Sequence, residues 1–302
     1  MKRGYKWIEN EMALLDPETE YEKILSLLAQ YQLNDFILNI SYTINFMDVI
    51  IAPVGSDTLM HTRKVTEHKQ KRFDDSLDFF WVWYIAGPSS TLVKESVERL
   101  NKMHAAIGRQ LPGNFSGNDD FVQPLCLMAA FSHRMRLQLG LPGLPEYLQI
   151  AFHNWLRDFS QLFTTETESG RIENFPKDFD GLLAFADEFE SREYPTTENG
   201  RRASQALIQQ FCERWFPRPL WGLGRTIILT FTPASVRRVH ALGDPHPLLR
   251  WLVERGMKNL MLAQERLLPD PQQSLLERKA QKGKLSRILQ RLHEYMSSQA
   301  QT

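Results

Sequence analysis

One histidine stands in the middle of an otherwise apolar helical face, which makes it the first candidate for chemistry. The face is formed by residues at spacings of four, three, four and three, namely Val93, Val97, Leu100, His104 and Ile107. An imidazole without a partner on such a face costs about 1–3 kcal/mol, so a bonding partner is expected. The pattern alone favours a core histidine bonded to a carbonyl or a carboxylate. The second interpretation is a ligand to a metal ion or to a haem iron.

The segment before this helix combines a basic turn with a row of aromatic side chains. Lys71 and Arg72 stand near its start, and the face of Arg72 continues at helical spacing through Ser76, Phe79 and Trp83. A cationic end and an aromatic body suit a ligand with an apolar body and an acidic edge. Haem has this character, and its propionates would pair with Lys71 or Arg72. The alternative is a solvated basic turn in front of an ordinary core helix.

Other kinds of catalytic or metal site find little support in the sequence. The two cysteines, Cys126 and Cys212, form no CxxC pair, which excludes a thiolate zinc site and disfavours a disulfide framework. The seven remaining histidines form no HxxxH or ExxH pair on an apolar face. The chain also lacks the GxGxxG, Walker, GxSxG and HExxH motifs.

The elements that must position His104 and Arg72 are helices, because helical periodicity dominates and strand signals are scarce. One helix is predicted to begin near Asp35 and to end at Pro53. Another is predicted from about 66 to 85, with Gly87 and Pro88 as its stop, and the next from a cap at Ser89 or Ser90 to about Arg109. The polar break at 191–200 is interpreted as a surface loop. The sequence therefore predicts an all-α fold in one domain over residues 1–302, with a peripheral amphipathic helix in 272–302, from about 272 to 296.

The composition sets limits on partners and location. The 302 residues are 42% hydrophobic and 24% charged, which is ordinary globular composition. Lys+Arg and Asp+Glu are both 36, and this balance gives no support to broad nucleic-acid binding or to a membrane held by charge. No window approaches the roughly 20 apolar residues of a membrane span. The first residues lack the apolar run of a signal peptide, so the expected location is cytoplasmic. The oligomeric state is left open.

Several pieces of the chain, in order and spacing, resemble one family. The stretch Lys71-Arg-Phe-Asp-Asp-Ser76, the turn at Gly87 and the stretch Arg99-Leu-Asn-Lys-Met-His104 are similar to the haem-dependent oxygenases of fungal mycophenolic-acid biosynthesis and to bacterial rubber oxygenase (latex-clearing protein). The similarity covers roughly residues 30–270. It implies an all-helical, globin-reminiscent domain that encloses a b-type haem.

The resemblance also assigns roles to residues. The iron ligand of the family falls on His104, and its arginine falls on Arg72, with Lys71 beside it, near the haem and its oxygen-binding side. The family threonine falls on Ser76, which keeps the hydroxyl and loses the methyl group. Rubber oxygenases also use a carboxylate upstream of the arginine, where this chain offers at best Asp57.

The predicted function is therefore haem-dependent oxygenation of an apolar, isoprenoid or lipid-like substrate by dioxygen or a peroxide, with C=C cleavage as one form of the reaction. The predicted catalytic residues are Arg72, Lys71 and Ser76. His104 is the predicted metal ligand, and the cofactor-binding residues are His104, Arg72, Lys71, Phe79, Trp83 and Leu100. The first alternative is a non-catalytic helical protein that binds haem or an apolar ligand, as a carrier or sensor. The second is an interaction module in which His104 is only a core residue.

Overall fold

Sixteen α-helices and no β-strand make up the part of the chain that the computed structural model describes, residues 4–165 and 169–299. In chain order the helices are α1 (Trp7–Ala13), α2 (Tyr21–Leu27), α3 (Asp35–Val49), α4 (Pro53–His61), α5 (Lys64–Glu67), α6 (Lys69–Ala86), α7 (Thr91–Gln110), α8 (Asp119–Gln138), α9 (Glu146–Ser160), α10 (Phe179–Ser191), α11 (Glu198–Trp215), α12 (Trp221–Phe231), α13 (Ala234–Val239), α14 (Pro247–Leu262), α15 (Leu275–Gln281) and α16 (Arg287–Gln299). The all-α prediction is confirmed.

Buried apolar side chains from the first helix to the last form one continuous core. Its centre is aromatic, since Trp155 stacks on Tyr84 at 5.4 Å and on Phe159 at 4.7 Å between ring centroids. Helix α3 packs against α6, α8 and α11, and α6 packs against α2, α7 and α16. The two helices that carry the predicted site residues, α6 and α7, are therefore both anchored in this core.

A tight turn at residues 87–90 joins α6 to α7. Gly87 has a φ of 75° and a ψ of 157°, a conformation open to glycine and costly for other residues. The carboxylate of Glu22 accepts the Ser89 N–H at 2.7 Å and the Ser89 hydroxyl at 2.6 Å, so that α2 holds the turn in place. Ser90 then caps α7 by accepting the Val93 N–H at 3.2 Å, which confirms one of the two predicted caps.

Gly87→Ala is expected to lower the free energy of unfolding by about 2–4 kcal/mol, because it combines a forbidden backbone conformation with loss of the Glu22 contacts. A Cβ atom at position 87 would stand 2.6 Å from the Glu22 carboxyl carbon. The matched control is Gly256→Ala in α14, where a Cβ atom meets no atom within 4 Å and should add about 0.5–1 kcal/mol of stability. Urea unfolding of both variants measures the difference, and equal effects would contradict this account.

Two details of the helix prediction are corrected. Helix α6 begins at Lys69 and not near residue 66, because His68 separates it from the short helix α5. The segment predicted as a single terminal helix is two helices, since Gly283 adopts a φ of 61° between α15 and α16. Helix α16 buries Leu289 and Leu292 and packs against α6. The terminal segment thus contributes to the core from its apolar side.

Helices α3 and α4 meet at a sharp corner that the sequence interpretation did not predict. Pro53 occupies the first turn of α4, where its missing N–H costs nothing, so the residue expected to stop α3 also starts the next helix. Among the described residues no single helix is long and apolar enough to cross a membrane. The bent pair of α3 and α4, with 120° between them, passes that test of length and composition together.

Helix α1 is bonded to residues far along the chain, just after α14. The Asp270 carboxylate accepts the Ile8 N–H at 2.9 Å, and the Asp270 N–H donates to the Tyr5 carbonyl at 2.9 Å. The Trp7 indole donates to the Pro271 carbonyl at 3.1 Å. Helix α1 is therefore held by the segment that follows α14.

Candidate functional site

His104 lies in aromatic surroundings near the C-terminal end of α7. Its ring stacks on Phe115, with centroids 4.0 Å apart and planes at 11°, and meets the edge of Phe121 at 5.9 Å and 62°. The Nδ1 atom is buried and has no hydrogen-bond partner among the described residues. Burial lowers the pKa of His104 to about 4, so the imidazole is neutral at physiological pH. The bond that a structural core histidine would make is missing at this atom.

The loop between α7 and α8 supplies the ring that covers His104. Phe115 has a φ of 57°, a left-handed conformation that costs a bulky residue on the order of 1–3 kcal/mol. The preceding residue anchors the loop, because buried Asn114 donates to the Leu111 carbonyl at 3.0 Å and accepts a hydrogen bond from Thr58 of α4. The sequence interpretation missed Phe115. The available signal was a single large apolar residue inside a Gly- and Asn-rich loop.

Arg72 and Ser76 come together around the buried hydroxyl of Tyr42, which extends from α3. Arg72 donates a hydrogen bond to Tyr42 Oη, and its guanidinium lies 4.4 Å from the centre of the Phe46 ring. The Ser76 hydroxyl donates to the Arg72 carbonyl at 3.0 Å and lies beside the Tyr42 hydroxyl. Burial raises the pKa of Tyr42 against the opposing effects of Arg72 and Ser76, so its proton is retained. Tyr42 was not among the predicted site residues.

Arg72 also differs from the other cations of α6 in having no acidic partner. Within the described residues it pairs with no carboxylate, whereas Lys71 pairs with Asp75 at 2.8 Å and Lys69 with Glu213 at 2.9 Å. The Lys71 side chain is 75% exposed. The structure therefore separates Lys71 from Arg72, with which it was predicted to act.

The predicted aromatic residues lie along the contact between α6 and α7. Buried Trp83 donates to the Ser96 hydroxyl at 3.0 Å and packs on Phe159 at 5.1 Å between centroids, with the half-buried Phe79 at 5.7 Å. Leu100 is half-buried against the core. Ser76 lies about two helical turns before Trp83 in α6, and His104 lies about two helical turns after Ser96 in α7.

Asp57, the carboxylate that the resemblance suggested upstream of Arg72, lies at the protein surface. Asp57 is exposed on α4 and accepts a hydrogen bond from Asn199 at 2.8 Å. The described residues hold no cluster of three or more His, Cys, Asp or Glu side chains suited to a metal ion.

A second polar cluster lies on the other side of α3, beside a cavity of about 40 Å³. Asp48 is 1% exposed and accepts a hydrogen bond from Gln123 at 2.9 Å through one oxygen. Its other oxygen, Oδ2, is buried and has no hydrogen-bond partner among the described residues. The carboxyl group lies near Glu190, which is itself paired with Arg134. Burial, with a smaller contribution from Glu190, raises the pKa of Asp48 well above its ordinary value.

A larger open groove of about 420 Å³ lies at the turn between α6 and α7. It is lined by polar side chains, among them Glu22, Ser89 and Lys94. Tyr21 donates to Asp158 at its edge, and this bond is the main cause that raises the pKa of Tyr21 to about 12. None of the predicted site residues lines this groove.

Comparison with known proteins adds no family. The chain matches no model of a known protein family, and no curated protein matches it in sequence. The resemblance to haem-dependent oxygenases therefore stays a prediction.

The His104 imidazole is expected to titrate near pH 4 in the haem-free protein, followed through its C2 proton by NMR. Phe115→Gly suits the left-handed backbone and admits water to the ring, so the midpoint should rise toward the ordinary value of about 6.5. Phe175→Gly, which removes a ring 6.3 Å from His153, should leave His104 unchanged. A wild-type midpoint above pH 6 would contradict the burial of this histidine.

Proposed function

We propose that the protein is a haem-dependent oxygenase in which His104 would bind the iron of a b-type haem and an apolar substrate would lie beside the aromatic residues of α6 and α7. The observation that carries the proposal is the buried Nδ1 atom of His104, which has no hydrogen-bond partner. A buried polar atom left unpaired costs free energy, and such exceptions in folded proteins call for an explanation.

The state of the imidazole suits a haem ligand. A ring nitrogen binds iron in its neutral form, and a pKa of about 4 keeps His104 neutral. The lone pair of an imidazole nitrogen lies in the plane of the ring, whereas Phe115 stacks on its face at 11°. The stacking therefore fixes the ring without capping its nitrogen atoms.

The surroundings of Arg72 suit the acidic edge of the same ligand. A half-buried guanidinium without a carboxylate favours an anion, and a haem propionate has the planar shape that Arg binds well. Lys71 plays no part in the proposed site, because Asp75 already neutralises it at the surface. Tyr42 takes its place as the second polar group next to Arg72.

Haem, when bound, supplies the activation of dioxygen. The contribution of the chain is to hold and orient. Arg72 would fix an anionic group, and Tyr42 and Ser76 offer hydroxyl groups beside it. Phe79 packs against Trp83 and Phe121 packs against His104, so both rings offer apolar surface to a substrate.

Haem titration of the purified protein tests the ligand. Wild-type protein supplied with haemin is expected to show a Soret band that saturates at one haem per chain. His104→Ala should lose this band, while the exposed-histidine control His246→Ala should keep it. Absence of a stoichiometric Soret band in the wild type would reject the proposal.

Dioxygen uptake distinguishes an oxygenase from a carrier. The haem-loaded protein should consume dioxygen when an unsaturated isoprenoid is added. Arg72→Met should reduce this uptake, and the matched change Arg109→Met, on the exposed side of α7, should not. Haem binding without substrate-dependent uptake would identify a haem carrier or sensor.

A further inference from the structure

Helix α14 turns apolar side chains toward solvent. Leu248, Trp251 and Leu252 share one face at helical spacing and are 59%, 52% and 50% exposed. The opposite side of the helix supplies Val253 and Met257 to the core. A helix with apolar residues on both sides leaves one side for a partner that the isolated chain does not provide.

The N-terminal end of α12 exposes two further leucines, Leu223 in its first turn and Leu220 just before it. Arg225 near the start of α12 donates to the Leu242 carbonyl, just before α14. Gln138 bridges the Thr230 carbonyl of α12 and Glu254 of α14, so the two helices run side by side in the same direction. Their N-terminal ends therefore meet at one end of the fold. We use the name α14 patch for the exposed apolar residues at the N-terminal ends of the two helices. They are Leu220, Leu223, Leu248, Leu249, Trp251 and Leu252.

The α14 patch lies in a strongly basic part of a chain whose total charge is zero. Residues 217–262 hold seven arginines and lysines against two carboxylates, a formal excess of five positive charges. Both carboxylates are used locally, since Asp244 pairs with Arg237 and Glu254 with Arg250, each at 2.9 Å. The other five basic residues of the stretch pair with no carboxylate among the described residues. Arg255 is one of them, and its guanidinium lies 5.9 Å from the Trp251 ring.

We propose that the α14 patch binds the surface of an anionic lipid bilayer. Leucines bury apolar area at the boundary of the acyl chains, and tryptophan favours the headgroup level. Neighbouring arginines attract acidic lipid phosphates, which supplies the charge complementarity that the patch needs. A second copy of the chain fits less well, because a two-fold contact would set the same excess of positive charge against itself. This proposal is independent of haem binding.

Sedimentation with vesicles tests the proposal on the full chain. The protein should bind vesicles of phosphatidylcholine and phosphatidylglycerol, and bind vesicles of phosphatidylcholine alone much more weakly. The double variant Leu248→Ser, Leu252→Ser should lose at least about tenfold in affinity, because both leucines would bury apolar area in the bilayer. The control Leu14→Ser, at an exposed leucine just after α1, should bind like the wild type. Arg255→Glu should weaken binding to the acidic vesicles only.

Circular dichroism and thermal unfolding should show that the exposed substitutions leave the fold intact. Equal binding of the double variant and the wild type, or no binding of the wild type to acidic vesicles, would overturn the proposal. Size-exclusion chromatography adds a further decisive outcome. The wild type could form a dimer and fail to bind vesicles, while the double variant is a monomer. That result would assign the patch to a contact with a second copy of the chain and reject the bilayer.

Discussion

Replacing His104 with phenylalanine is expected to stabilise the haem-free protein by about 1–2 kcal/mol and to abolish haem binding. The gain arises because the variant removes a buried Nδ1 atom that has no partner, a defect worth about 1–3 kcal/mol. A phenyl ring of similar size can keep the contacts with Phe115 and Phe121. The loss follows because a phenyl ring offers no ligand to iron.

Denaturant unfolding of haem-free protein, combined with a haemin titration, measures both effects. The matched control is His240→Phe. His240 is 1% exposed and also has a buried Nδ1 atom without a partner among the described residues, but its Nε2 atom bonds the Met47 carbonyl at 2.8 Å. Replacement of His240 loses that bond and should therefore destabilise the fold. A His104→Phe variant that loses more than about 1 kcal/mol would show that His104 is needed for the fold. Stabilisation with loss of haem would instead identify a residue retained for function at a cost in stability.

Stability is expected to fall as pH rises above about 4, by about 1.4 kcal/mol per pH unit, as a result of Asp48 alone. Burial raises the pKa of Asp48, so the folded protein holds a proton that the unfolded chain releases above its ordinary pKa. The unfolded state then binds fewer protons than the folded state, which makes the slope of unfolding free energy against pH negative. The loss continues until the pH reaches the raised pKa of the folded carboxyl.

Asp48→Asn should remove this slope. The amide keeps the shape of the carboxyl, accepts the Gln123 bond through its oxygen, and donates to Glu190 without a titrating proton. The variant should therefore be more stable than the wild type at pH 8 and lose that advantage toward pH 4. Urea unfolding between these limits measures it, with Asp57→Asn at an exposed carboxylate as the control. Parallel stability curves for Asp48→Asn and wild type would contradict the buried proton.

Local signals were sufficient for the helical hairpin that carries the site. Gly87 and Pro88 mark the stop of α6, and Ser90 caps α7 through a bond to a residue three positions away. Such contacts lie within one turn of the chain, so the sequence shows both partners. Pro53 was interpreted only as a stop, because a proline that ends one helix and one that begins the next look alike in sequence.

Of the residues that form the site, only those on α6 and α7 could be predicted from the sequence. Arg72, Ser76 and His104 follow from helical spacing, whereas Tyr42 reaches them from α3 and Phe115 from a loop. No periodicity links residues 42 and 72, since their contact depends on how α3 crosses α6. The same limit applies to Lys71, whose position beside Arg72 gave no sign that Asp75 would bind it. The zero net charge of the whole chain likewise gave no indication of the basic stretch at residues 217–262.

Because α1 is bonded to Asp270, its final docking must wait during synthesis until that residue has been made. Helix α1 has seven residues, too few to be stable alone in water. Its partner follows 262 residues later, and at about 5–20 residues per second a ribosome needs about 13–50 s to make that stretch. Through this interval α1 has only its nearby partners, α2 and the Tyr31 ring 4.7 Å from the Trp7 ring, and lacks the bonds to Asp270 and Pro271. A chaperone that covers short apolar segments of a nascent chain would find its target here.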